Sequence, residues 1–357
     1  MKKIILSSII CLGSYAMLAT HLMGGEITVQ NIGNGNHLVT LLVYRDTIGI
    51  PMDTNVTFHF SNTQGANHSL TTGYDSIISG NLLPMYPYGV EVYLFIDTIS
   101  FLSPGLWEVY QEDCCRNAAI QNLSHPLGES MVLKSSLMVN ATSSNSSPFF
   151  LVPAAIFLPI NTLWQYNPLP FDPDGDSLSW RLDTPLTKFN QYCAGYTNPG
   201  ADPTNPSPMT IDPVTGTITW TAKRIGNTVA SILVDQHRNG QYMGHIRRDM
   251  QFIVVDTNQG FPTWQNLSML PLDGSNHYAY DIRPGQAFKM ELIAGHSDSS
   301  KMQNLSMTAY SELLQDPQFG ASFITSVQAG NLKGSFSWQP PASPSPQHPL
   351  LVGVSRE

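Results

Sequence analysis

The segment Asn55-Val56-Thr57-Phe58-His59-Phe60 alternates polar and apolar residues without a break. A period of two is what a β-strand needs to bury one face and wet the other, and it places nothing useful on a helix. Val90 to Ile96, Glu26 to Val29, His37 to Tyr44, Gly105 to Tyr110 and Met131 to Val139 read as strands too. Between them stand turn formers such as Gly33-Asn34-Gly35-Asn36. Charged residues make up 12% of the 357 positions, about half the usual share, while Gly and Pro number 27 and 26. Helices draw on Glu, Lys and Ala. The chain is therefore expected to be all-β.

Its length suits two or three sandwiches of ordinary size rather than one. Residues 1–19 read as a secretory signal peptide: Lys2 and Lys3, an apolar run from Ile4 to Leu18, then cleavage before Thr20. Residues 20–141 form a first β-sandwich domain. The Ser- and Asn-rich stretch 142–147 reads as a solvated, mobile linker. A second domain spans 148–258 and ends in a hairpin, Thr228–Val234 and Met250–Val255, turning at Arg238-Asn239-Gly240. A third spans 259–357 and repeats the second, since Gly334-Ser335-Phe336-Ser337-Trp338 echoes Gly216 to Trp220. Aligned this way, Leu350–Val354 matches the penultimate strand of the second domain and the closing strand has no counterpart. A truncated product, or a module completed by another chain, is the expectation.

Loss of the signal takes two lysines and moves the net charge from −9 to −11. Such a surface repels nucleic acid and anionic membranes. No stretch beyond the signal has the roughly 18 apolar residues of a membrane-spanning helix. Three cysteines remain: Cys114, Cys115 and Cys193. In an oxidising compartment the expected disulfide joins Cys193 to Cys114 or to Cys115, with a strained Cys114–Cys115 ring as the alternative.

The most chemically suggestive run is Phe171-Asp172-Pro173-Asp174-Gly175-Asp176, three carboxylates at alternate positions in a turn that opens into a strand. Carboxylates this close repel unless a cation or a proton offsets them. Hard oxygens on a flexible turn suit Ca²⁺, so Asp172, Asp174 and Asp176 are the candidate metal ligands. Asp and Pro-Gly are also good turn formers in their own right. The turn is not an EF-hand, because Ser177 stands where that loop needs glycine and a strand follows. His237 and His245 do not resemble a zinc motif. Asp113-Cys114-Cys115-Arg116 suggests a disulfide more than a nucleophile. No nucleophile elbow, phosphate loop or metalloprotease helix occurs, so no enzyme activity is expected. Arg247-Arg248-Asp249 reads as a local structural ion pair. Trp107, Trp180, Trp220 and Trp264 read as core residues, with a sugar-binding platform as the alternative.

Several segments together resemble a family. They are His21 to Ile27, Tyr44-Arg45-Asp46, Glu112-Asp113-Cys114-Cys115-Arg116-Asn117, the acidic turn and Arg248-Asp249-Met250-Gln251-Phe252. In that order they resemble secreted surface proteins of Bacteroidetes, the gliding-motility-associated group exported by the type IX system. Asp-Cys-Cys-Arg-Asn is the most specific piece. The resemblance implies tandem immunoglobulin-, PKD- or cadherin-like modules. Where those proteins often continue Tyr-Arg-Asp with cysteine, Thr47 follows Asp46, which accounts for the odd cysteine count. The resulting expectation is an exported structural or adhesion protein stiffened by calcium, facing a cell-surface or extracellular glycan or protein ligand. A carbohydrate-binding module is the alternative, and a secreted hydrolase comes third.

Overall fold

Strands form where the alternation predicts them, and most run longer than the alternating segments. The computed structural model describes residues 22–47, 51–80, 89–140, 143–154, 157–256, 262–274, 277–342 and 352–356. The expected signal peptide lies outside these residues. The chain is all-β, with 53% strand and 6% helix in curled, mostly antiparallel sheets.

The first strands are β1 (Leu22–Gly33), β2 (Asn36–Asp46), β3 (Asn55–Asn62) and β4 (Asn67–Gly73). Then come β5 (Ser76–Gly80), β6 (Val90–Ser100), β7 (Gly105–Asp113) and β8 (Met131–Val139). Farther along are β9 (Phe157–Pro159), β10 (Ser177–Asp183), β11 (Gly226–Arg238) and β12 (Gln241–Val255). All twelve belong to one sheet, in the order β4-β3-β7-β8-β12-β1-β2-β6-β5, with β11 on β12, β10 on β11 and β9 parallel to the end of β12.

The strand β12 decides the architecture. One edge pairs with β11 along nearly its whole length. Its other contacts are shared out: Gly244 to Ile246 face β8, Asp249 and Met250 face Gly25 and Gly24 of β1, and Ile253 to Val255 run beside β9. Two glycines permit this closeness. A Cβ on Gly24 (φ +145°) would lie 2.1 Å from the Asp249 carbonyl oxygen, and one on Gly244 (φ +147°) 2.2 Å from that of Ser136. The hairpin turn falls where expected, at Asn239-Gly240, both with positive φ.

The sequence placed a boundary at 142–147, but the sheet continues across it, and the second half of the expected solvated linker is buried while Ser143 and Ser144 stay exposed. Asn145, Ser146 and Ser147 are each at most 5% exposed. Ser147 exchanges hydrogen bonds with Val29, donating through its N–H to the carbonyl and accepting the Val29 N–H on its hydroxyl. The Asn31 N–H donates to the Ser146 hydroxyl. Short polar side chains bond backbone as readily as water, so a Ser/Asn run can stitch strands together as well as dissolve.

One core lies inside the curl of β1–β3 and β6–β8 and includes Phe58, Phe95, Trp107 and Leu133. The other lies between β10–β12 and the segment 150–222, around Trp220, Ile232, Ile246 and Phe252. Toward the C-terminus a four-stranded sheet joins Thr263–Trp264, Phe288–Gly295, Asn331–Trp338 and Ser322–Gln328, with its own apolar clusters. There Gly353–Arg356 pairs with Met307–Tyr310, while the strand expected at Leu350–Val354 falls partly outside the described residues.

Candidate functional site

The acidic turn already has its countercharge within the chain. Asp176 takes the Nε and one terminal N–H of Arg238 at 2.6 and 2.9 Å, and a Gln236 amide at 2.6 Å. Asp174 accepts the Ser146 N–H at 2.6 Å and lies 3.8 Å from Arg238. Asp172, 6% exposed, accepts the N–H groups of Asp174 and Asp176 on Oδ1. Its Oδ2 is buried without a partner. Burial, with Asp176 and Asp174 nearby, pushes its carboxyl up to about 7. Ca²⁺ takes six to eight oxygens, and this arrangement does not fit it as it stands, because both oxygens of Asp176 are committed to Arg238 and Gln236. Among the described residues no group of three or more His, Cys, Asp or Glu is placed to hold a metal ion.

Because side chains alternate faces along a strand, Arg248 and Asp249 point to opposite sides of the sheet. Arg248 reaches Glu26 of β1 through Nε and, at 2.6 Å, a terminal N–H, and also donates to the Val152 carbonyl and the Tyr166 hydroxyl. The Phe150 ring lies 4.2 Å from its guanidinium. Asp249 receives Arg116 in a two-pronged pair at 2.7 and 3.0 Å, and Arg116 also donates to the carbonyls of Leu186 and Ser130. Both arginines are 1% exposed and Asp249 is fully buried. The expected local pairing within Arg247-Arg248-Asp249 is thus replaced by pairs over long chain distances. A strand that is otherwise apolar carries charges only if they are paired from elsewhere, and that was the signal available in the sequence.

The cysteine pairing also differs from expectation. Cys193 is buried apart from Cys114 and Cys115, whose side chains, adjacent in the chain, face each other. Cys193 sits among Ile120, Leu123 and Val229, beside Arg116, and burial pushes its thiol up to about 12.

On the outer face of β8 and β10–β12 lies a half-open cleft of about 230 Å³. The sheet register builds it. Asp235 of β11 stands opposite Ser179 of β10 and His245 of β12, and His245 opposite Ser136 of β8. Two residues along on the same face are Arg181, Arg247 and Lys134. Three ion pairs result: Lys134–Glu108 at 2.5 Å, Arg247–Asp183 at 2.6 Å and Arg181–Asp235. A small hairpin, Leu186–Lys188 with Gln191–Tyr192, roofs one end. Phe189 anchors it by stacking on Tyr110, which stacks on His59, and the Asn190 side-chain oxygen Oδ1 accepts from Lys134 at 2.5 Å. His245 accepts or donates at the Tyr242 and Ser136 hydroxyls, and burial holds it down to about 3, so it is neutral. The sequence singled out Arg247 and His245 but not the cleft.

The tryptophans are structural. Trp107 and Trp220 are buried, Trp180 donates to the Asp212 carbonyl, and Trp264 packs in a C-terminal cluster. Comparison with family models and with curated proteins finds no match to this chain. Among the described residues no helix is long and apolar enough to cross a membrane.

Proposed function

We propose that the chain is an exported, non-catalytic structural or adhesion protein of a bacterial cell surface of the Bacteroidetes type, its immunoglobulin- or cadherin-like modules fused through the shared sheet. One observation supports this above others. Glu26, Arg116, Arg248 and Asp249, which lie in the segments that carry the resemblance, are buried in ion pairs that tie β1, β12 and the loop after β7 together. Charges consumed this way hold a frame and meet no substrate. Calcium enters in a restricted form: Ca²⁺ at Asp172–Asp176 requires Arg238 to leave Asp176.

The test is to express the full chain, with residues 1–19, in a Gram-negative host and sequence the N-terminus of the exported product. Purified protein on beads is then presented to bacterial and host cells. A mature start at Thr20 and cell retention above albumin-coated beads are expected. An uncleaved cytoplasmic product would count against export, and beads no stickier than albumin would count against adhesion. Carbohydrate binding is the second reading, favoured by the polar cleft.

A further inference from the structure

The cleft on the outer face of the sheet holds three cations, Lys134, Arg181 and Arg247, each matched to a carboxylate of Glu108, Asp235 or Asp183. Its field is therefore close to balanced. A ligand with net charge would bind one member of a pair and leave the other short of its partner, at a cost comparable to what it gains. A hydroxyl both donates and accepts. It can bridge an arginine N–H and a neighbouring carboxylate oxygen without separating them, and a molecule with several hydroxyls does so repeatedly. Arg247 lines the cleft at 4% exposure, and its Nε is buried without a partner. At the mouth, Tyr192 of the roofing hairpin is 54% exposed, a flat apolar ring with a polar tip. The volume is below the roughly 300–1,000 Å³ of sites for drug-sized ligands, so it suits one ring rather than the interior of a chain.

We propose that this cleft binds a neutral polyhydroxylated ligand, the terminal sugar residue of a glycan, with Arg181, Asp235 and Arg247 engaging hydroxyls and Tyr192 packing on the ring face. The proposal deepens the carbohydrate reading and stands apart from the scaffold role. It does not extend to hydrolysis. Asp183 and Asp235 are each held by an arginine. Their backbones are four residues apart along the sheet, about 14 Å at a rise of ~3.4 Å per residue, wider than the roughly 5–9.5 Å between the carboxyl groups of glycosidase pairs.

The experiment is a titration of the full chain, by ligand-observed NMR and calorimetry, with glucose, galactose, mannose, N-acetylglucosamine, glucuronate and inorganic phosphate. Variants are Tyr192→Ala and Arg181→Ala, both at exposed positions, with Val327→Ala on a distant edge strand as control. At least one neutral sugar should bind with a millimolar constant, weakened tenfold or more by each cleft variant and unchanged by Val327→Ala. Binding of glucuronate or phosphate alone would overturn the charge argument. Sugar binding that survives both cleft variants would overturn the site but leave the carbohydrate reading intact. No binding of any sugar up to ~10 mM, ten times a millimolar constant, would end both.

Discussion

Asp172→Asn should stabilise the protein at neutral pH and lose that advantage in acid. The wild-type carboxyl is buried at the head of the acidic turn, with two N–H donors on Oδ1 and nothing on Oδ2. Its pKa rises from 3.8 to about 7 on folding. A carboxyl raised in this way binds its proton more tightly in the fold, so its favourable contribution is complete below pH ~4 and disappears as pH climbs through ~7. Roughly three units at ~1.4 kcal/mol each set a ceiling of about 4 kcal/mol. Asparagine keeps an acceptor for both N–H groups but buries an unpartnered NH₂, which costs about 1–3 kcal/mol. The expected gain at pH 7.5 is therefore about 1–3 kcal/mol; it vanishes between about pH 4.5 and 6, and at pH 4 the variant is the less stable of the two. Urea unfolding of both proteins at pH 4, 5.5 and 7.5, with chelator, measures it. Asp113, pushed up to about 6 by burial, tilts both profiles alike and drops out of the difference. A second series adds 10 mM Ca²⁺. A site with a 1 mM constant would stabilise wild type by about 1.4 kcal/mol and leave the variant unmoved. A variant less stable than wild type at pH 7.5 in chelator would refute the desolvation argument.

The Arg116–Asp249 pair should behave as a buried unit: Asp249→Leu alone costs about 3–5 kcal/mol, and adding Arg116→Met recovers most of it. Additive losses in urea melts would contradict this. Limited proteolysis of the native protein should spare the bonds between Asn145 and Pro148, with Ser147→Ala costing about 1–3 kcal/mol through the orphaned Val29 N–H; fast cleavage there would restore the mobile linker. Cys193 should alkylate slowly at pH 8 without denaturant, because its thiol is buried and raised to about 12. Non-reducing peptide mapping that finds it cross-linked to Cys114 or Cys115 would reinstate the expected disulfide.

Local chemistry in this chain can be read from neighbours in sequence. The strands at Asn55–Asn62 and Val90–Ser100 and the Asn239-Gly240 turn follow from period-two patterning and positive-φ residues. The acidic turn is a turn, and its need for a countercharge was sound. What supplies that charge was not legible, because Arg238 lies on a different strand and nothing in the spacing ties it to Asp176. Glu26 with Arg248 and Arg116 with Asp249 show the same limit: a pattern with a period of two says which face a residue takes, not which strand will lie beside it. The stretch 142–147 misled for the opposite reason. Its composition suits solvent, but its side chains are short enough to bond the backbone of β1.

The placement of β12 also sets the order in which this protein can be made. Until Gln241–Val255 exists, β1 and β8 present unpaired edges, and the arginine of the loop after β7 has no carboxylate to meet. A chain that has emerged as far as residue 140 holds every residue of its first core yet lacks the strand that lies between β8 and β1. Contacts as distant as Gly24 with Met250 make closure a late, slow event. Until then the exposed edges invite pairing with other chains. The N-terminal segment should therefore be insoluble when expressed alone, and the unit of synthesis and engineering runs through Val255.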